Sequence, residues 1–125
     1  MDLLAVEHAA REDAVVVRVE GEVDSTTVGE LSDHLGAALE LAAAHPARLV
    51  VVDLQPVTFV GSAGLNALLD CHERGNAAGT SVRMVADHGP VLQPIEVTDL
   101  DRILEIYPTL PDALEGARPP DDRTA

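Results

Sequence analysis

The chain of 125 residues is poor in aromatic side chains, which make up 2% of it and comprise Phe59 and Tyr107. Its core therefore has to be built from Val, Leu, Ile and Ala, and nucleic-acid binding by base stacking is excluded. Basic residues are also scarce, with 8 Lys plus Arg against 22 Asp plus Glu and a formal net charge of −14. Because this charge repels phosphate backbones and anionic lipid, neither nucleic acid nor a membrane surface is an expected partner.

Long hydrophobic runs are absent as well. No stretch approaches the roughly 18 consecutive apolar residues of a membrane span, and Met1-Asp2 is acidic where a signal peptide would be basic. These observations predict a cytoplasmic protein.

Cysteine is limited to Cys71, which excludes an internal disulfide and, within a helical stretch, predicts a small buried residue. The histidines are scattered and never show the paired spacing of a zinc site: His8, His34, His45, His72 and His88. The sequence therefore predicts neither a metal nor a cofactor.

The length allows one domain, which we place at residues 1–117. Residues 118–125 contain no large apolar side chain and are predicted to form a disordered C-terminal tail. An α/β fold is predicted, with a mixed four- to five-stranded sheet, parallel inner strands and about four helices packed against it. The strands are predicted at residues 3–6, 14–20, 49–52, 81–85 and 103–107. The helices are predicted from residue 27 with a Thr27–Glu30 capping box, at 62–76, as a short helix with Pro90 in its first turn, and at 109–117 with Thr109 and Asp112 as its cap.

The segment Phe59-Val60-Gly61-Ser62-Ala63-Gly64-Leu65 passes from a strand through a tight turn into a helix. The small residues around Ser62 leave its hydroxyl accessible, and the first amides of the helix would stabilise a phosphate on it. Ser62 is therefore a candidate switch residue. Its alternative role is an N-cap that satisfies a helix amide.

A catalytic serine is the competing interpretation. The nucleophile elbow requires Gly-x-Ser-x-Gly, but Val60 stands two residues before Ser62. The Gly-x-x-x-x-Gly-Lys spacing of a phosphate-binding loop is also absent. The sequence accordingly predicts that the protein is not an enzyme.

Three segments together resemble a STAS domain of the anti-sigma factor antagonist type, over roughly residues 4–115: Gly21-Glu22-Val23-Asp24, residues 49–54 with Val57-Thr58-Phe59, and Gly61-Ser62-Ala63-Gly64-Leu65. In that family the first serine of the turn is phosphorylated by an anti-sigma factor that is also a kinase. The resemblance implies that Ser62 is the phosphoacceptor and that Gly61 replaces the usual aspartate.

The resemblance also implies a function by partner switching. The unphosphorylated protein would bind an anti-sigma factor serine kinase, which supplies ATP, and release a sigma factor; phosphorylation would end that binding and a phosphatase would restore it. The implied contact residues are Asp24, Gly61, Ser62, Ala63, Gly64 and Leu65, and the free protein would be a monomer. The alternative is a STAS scaffold or regulatory subunit that is not phosphorylated.

The sequence leaves two interpretations open for each of two acidic residues. Asp24 is either part of the partner contact or a solvated acid or helix cap, and Asp53 either caps the turn beneath Ser62 or ends its strand.

Overall fold

The computed structural model describes residues 4–116. They form six strands, four helices and a short 3-10 turn: β1 Leu4–Ala10, β2 Val15–Val23, α1 Val28–Ala43, β3 Leu49–Asp53, β4 Val57–Val60, α2 Ser62–Ala77, β5 Ser81–Val85, α3 Gly89–Val97, the 3-10 turn Leu100–Arg102, β6 Glu105–Tyr107 and α4 Leu110–Glu115. The predicted tail at residues 118–125, the last residue of the predicted domain and the predicted start of the first strand at residue 3 lie outside the described residues.

The strands form one mixed sheet in the order β1-β2-β3-β5-β6, with β4 paired to β2 beside this path. Only the β1–β2 hairpin is antiparallel, while β2, β3, β5 and β6 pair in parallel. This confirms the predicted α/β class with parallel inner strands and four helices.

The sheet has six strands within the described residues, where four to five were predicted. The additional strand is β4, which has four residues and pairs only with the second half of β2. The pairing of β2 with β3 ends at Arg18, and β2 then pairs with β4 from Gly21, which has φ 108°. The register shifts there, because Gly21 pairs with Val57 and Glu22 with Phe59, which leaves Thr58 of β4 unpaired in the ladder. Its two end residues are buried and its two middle residues are exposed, so the strand shows no period-two alternation in the sequence.

Helices cover both faces of the sheet. A large cluster of buried aliphatic side chains lies between one face and α1, α2 and α3, whereas α4 packs over a smaller cluster on the other face. All five residues of β3 are buried, as its continuous apolar run predicts for a central strand. Among the described helices, none combines the length and apolar character needed to cross a membrane.

Two local predictions about the later helices are confirmed. Pro90 lies in the first turn of α3, a helix of nine residues that also contains Pro94. Thr109 caps α4, since its Oγ1 accepts a hydrogen bond from the Asp112 amide at 3.2 Å.

Candidate functional site

The site lies where β2 and β4 end side by side. Because the two strands run in parallel, their carboxyl ends meet at one edge of the sheet. The amide of Gly61, the residue after β4, donates a hydrogen bond to the carbonyl oxygen of Val23 at 2.9 Å. Val23 is the residue before Asp24. The Asp24 loop and the turn that contains Ser62 are therefore neighbours.

Gly64 holds α2 close to β2. A Cβ atom added at this position would lie 2.6 Å from Cγ1 of Val23 and 3.1 Å from Cγ1 of Val60, so only glycine fits without displacement. Gly64 and Leu65 are both buried, with Leu65 6% exposed. These two residues position the turn and offer little surface to a partner.

Ser62 is exposed and is the first residue of α2, whose N-cap is Gly61. The first intrahelical bond runs from the Leu65 amide to the Gly61 carbonyl at 3.1 Å, so the amides of Ser62, Ala63 and Gly64 precede it. Among residues 4–116, the Ser62 hydroxyl has no hydrogen-bond partner. Because Gly61 is the N-cap, the alternative role of Ser62 as the N-cap is wrong for this structure.

Asp24 organises the loop that precedes α1. Its Oδ1 accepts hydrogen bonds from the Thr26 hydroxyl at 2.7 Å, the Thr26 amide at 2.9 Å and the Thr27 amide at 3.1 Å. The bonds from Thr26, and more weakly those from Thr27, lower the pKa of Asp24 below its ordinary value. The carboxylate is thus ionised and fixed in direction next to the Ser62 turn.

The predicted Thr27–Glu30 capping box is wrong. Thr27 Oγ1 accepts from the Asp24 amide at 2.9 Å and donates to the Glu22 carbonyl at 2.9 Å, so it is not available to cap the helix. The Glu30 amide bonds instead to the Thr27 carbonyl at 3.1 Å. Helix α1 therefore begins at its N-cap Thr27 without a side-chain cap hydrogen bond, and the Asp24 carboxylate bonds the Thr26 and Thr27 amides, which precede the helix.

Phe59 is a site residue that sequence reasoning missed. Its side chain is 48% exposed, and its ring lies beside Gly61, where a Cβ atom would be 3.4 Å from Cε2 of Phe59. Gly61 has φ −92° and ψ −177°, an extended conformation that any residue adopts. The available signal was that the chain's only phenylalanine stands two residues before Gly61, in a sequence whose other apolar side chains are almost all aliphatic.

The remaining candidates lie apart from this turn or are buried. Asp53 Oδ1 accepts from the Gln55 amide at 3.1 Å and so caps the β3–β4 turn. Cys71 is 1% exposed, and burial raises the pKa of its thiol to about 12, which makes it inert. In the part of the chain that the structure describes, no three His, Cys, Asp or Glu side chains form a group that could hold a metal ion.

Residues 5–113 match the STAS domain family, and the chain belongs to that family. The anti-sigma-F factor antagonist RsfB of Mycobacterium tuberculosis is 34% identical over 119 residues, which are 94% of this chain and 92% of that protein. The crystal structure of an anti-sigma factor antagonist from Mycobacterium paratuberculosis has a TM-score of 0.81 at 32% identity, covering 93% of this chain and 95% of that one.

A more distant structure shares the fold. The Bacillus cell fate determinant SpoIIAA in its phosphorylated form has a TM-score of 0.65 at 16% identity, covering 91% of this chain and 100% of that one. The resemblance inferred from the sequence, to a STAS domain of the anti-sigma factor antagonist type, is confirmed by the family match and the two closer relatives.

Proposed function

We propose that this protein is an anti-sigma factor antagonist that binds an anti-sigma factor kinase in its unphosphorylated state and thereby releases a sigma factor. The names of its relatives support the class of function. The observation that carries the switch is the Ser62 hydroxyl, which is exposed, lies at the start of α2 and has no hydrogen-bond partner among the described residues.

In the proposed reaction, Ser62 accepts the γ-phosphoryl group of ATP held by the kinase. The Ser62 Oγ–P bond forms, the bond between the γ-phosphorus and the bridging oxygen breaks, ADP leaves, and the hydroxyl proton passes to a base on the kinase or to solvent. This chain supplies the acceptor oxygen and a shape that presents it. It is the substrate and ligand in this reaction, and the kinase is the catalyst.

A phosphate on Ser62 is compatible with the fold. The first turn of α2 contains no acidic side chain, and the amides of Ser62, Ala63 and Gly64 lie at the positive end of the helix dipole. The modification therefore acts on the interface, with the domain itself left folded.

Docking is lost because the phosphate adds about −1.5 to −2 charges at the centre of the contact. Burying that charge in the contact costs its desolvation unless the partner pairs it. A loss on the order of 3 kcal/mol weakens binding more than a hundredfold, which suffices to release the kinase. A phosphatase that removes the group restores the binding state.

The proposal is tested by incubating the purified chain with the anti-sigma factor kinases of its host, one at a time, with ATP and Mg²⁺. Intact-mass measurement should show one added phosphoryl group, and Ser62→Ala should show none. If no kinase modifies the chain although several bind it, the non-phosphorylated scaffold becomes the better account.

A further inference from the structure

We propose that the Phe59 side chain is the apolar anchor of the docking surface, and that it enters an apolar pocket rimmed by Lys or Arg on the anti-sigma factor kinase. This inference rests on the proposed function, because it names how the same partner recognises the surface around Ser62. It assigns the main binding contact to a residue outside the turn that carries the phosphoacceptor.

The exposure and location of Phe59 support an anchoring role. A phenylalanine that is 48% exposed leaves a large apolar area in water, and aromatic side chains are enriched among the residues that dominate binding energy. The other exposed large hydrophobic residues in the described chain lie elsewhere, on α1, at the end of α3 and after the 3-10 turn: Leu41, Val97 and Ile103. Of these four residues, Phe59 is thus the one that lies in β4, the strand that leads to Ser62.

Gly61 keeps this ring accessible. The position that a Cβ atom would take at residue 61 is 3.4 Å from Cε2 and 3.6 Å from Cζ of Phe59. An aspartate here, which the turn of the family usually carries, would bring its Cβ atom into van der Waals contact with the ring and add a carboxylate to this apolar surface. Gly61, which departs from the family pattern, and the exposed ring of Phe59 therefore form one continuous surface without charge, next to Ser62 in the chain.

The charge around the ring indicates the chemistry of the partner. Glu22 is the register partner of Phe59 across the parallel β2–β4 pair, and the ionised Asp24 follows at the end of β2. Residues 19–47 and 49–73, which include β4 and both loops of the site, contain no Lys or Arg. An apolar anchor with an acidic rim is complementary to an apolar pocket with a basic rim.

Calorimetric titration with the kinase that modifies the wild-type chain in the mass assay tests this inference, with ADP present and Ser62 unphosphorylated. Phe59→Ala should weaken binding at least tenfold, whereas Phe59→Leu, which keeps an apolar side chain, should stay within about fivefold of wild type. Ile103→Ala is the matched control, because Ile103 is 49% exposed and lies outside the site. It should bind as wild type does.

Thermal unfolding of each variant checks the fold, and Phe59→Gln provides a second variant without the ring if Phe59→Ala unfolds. Binding within threefold of wild type by a folded variant that lacks the ring, or an equal loss in Ile103→Ala, would overturn the anchor while leaving Ser62 phosphorylation intact. If no kinase modifies the wild-type chain, the proposed function fails, and the anchor fails with it.

Discussion

Replacing Gly61 with aspartate restores the residue that the resembling turn usually carries, and the structure defines what the change does. Gly61 is the N-cap of α2, with an extended backbone that aspartate adopts without strain. The nearest neighbours of an added Cβ atom are 3.4–3.8 Å away, which is ordinary van der Waals contact. The new carboxylate can therefore accept hydrogen bonds from the Ala63 or Gly64 amide.

The expected gain is about 1 kcal/mol in the free energy of unfolding. Aspartate is a better N-cap than glycine by a few tenths of a kcal/mol, and a negative charge at a helix N-terminus contributes about 0.3–1 kcal/mol more. For a chain of this length, about 1 kcal/mol raises the Tm by about 4 °C. The carboxylate bonds to the helix amides that a Ser62 phosphate would use. The phosphatase should therefore also remove the phosphate from Ser62 faster.

Urea and thermal unfolding of Gly61→Asp, Gly61→Asn and Gly61→Ala at neutral pH separate these contributions. Stability should follow the order Asp, Asn, Ala, since Asn keeps the cap without the charge and Ala keeps neither. Near pH 4 and below, protonation of the introduced carboxylate should bring the Asp and Asn variants together. An Asp variant no more stable than the Ala variant at pH 7 would show that residue 61 does not act as the N-cap.

Three further predictions concern the packing and electrostatics of the site. Gly64→Ala should lower the free energy of unfolding by about 1–3 kcal/mol in urea titration, because the added methyl overlaps Val23; an unchanged midpoint would contradict this packing. Cys71 should resist a thiol reagent at pH 8 in the native protein and react only after unfolding, since burial raises its pKa; rapid native labelling would refute this. The lowered pKa of Asp24 implies that its carboxylate stabilises the fold above the unfolded pKa, and that this contribution is lost as pH falls through the folded pKa. The Tm difference between wild type and Asp24→Asn should therefore shrink in acid. A Tm difference that stays constant with pH would contradict this contribution.

The sequence predicts the framework well because its signals are local and periodic. Val15, Val17 and Val19 are buried on one face of β2, as their alternation predicts, and the uninterrupted apolar run of β3 marks the centre of the sheet. The position of Ser62 at the strand-to-helix junction follows from a compact motif.

What sequence reasoning missed depends on contacts between distant segments. The fourth strand pairs with the distant end of β2 across a register shift, and its four residues do not alternate between buried and exposed. The predicted capping box is wrong because the Thr27 hydroxyl accepts from the Asp24 amide and donates to the Glu22 carbonyl, and so does not bond to a helix amide. The exposure of Phe59 likewise depends on which neighbours the fold places around the ring, and periodicity does not contain that information.

Binding of the kinase to Ser62→Ala and Ser62→Asp, measured by calorimetry, tests the proposed switch most directly. Both substitutions occur at an exposed side chain without a hydrogen-bond partner among the described residues, so both variants should keep the wild-type fold. The Ala variant should bind as tightly as the unphosphorylated wild type, and the Asp variant should bind at least tenfold more weakly because it introduces a negative charge at the acceptor position. Equal affinities of the two variants would contradict a charge switch at Ser62.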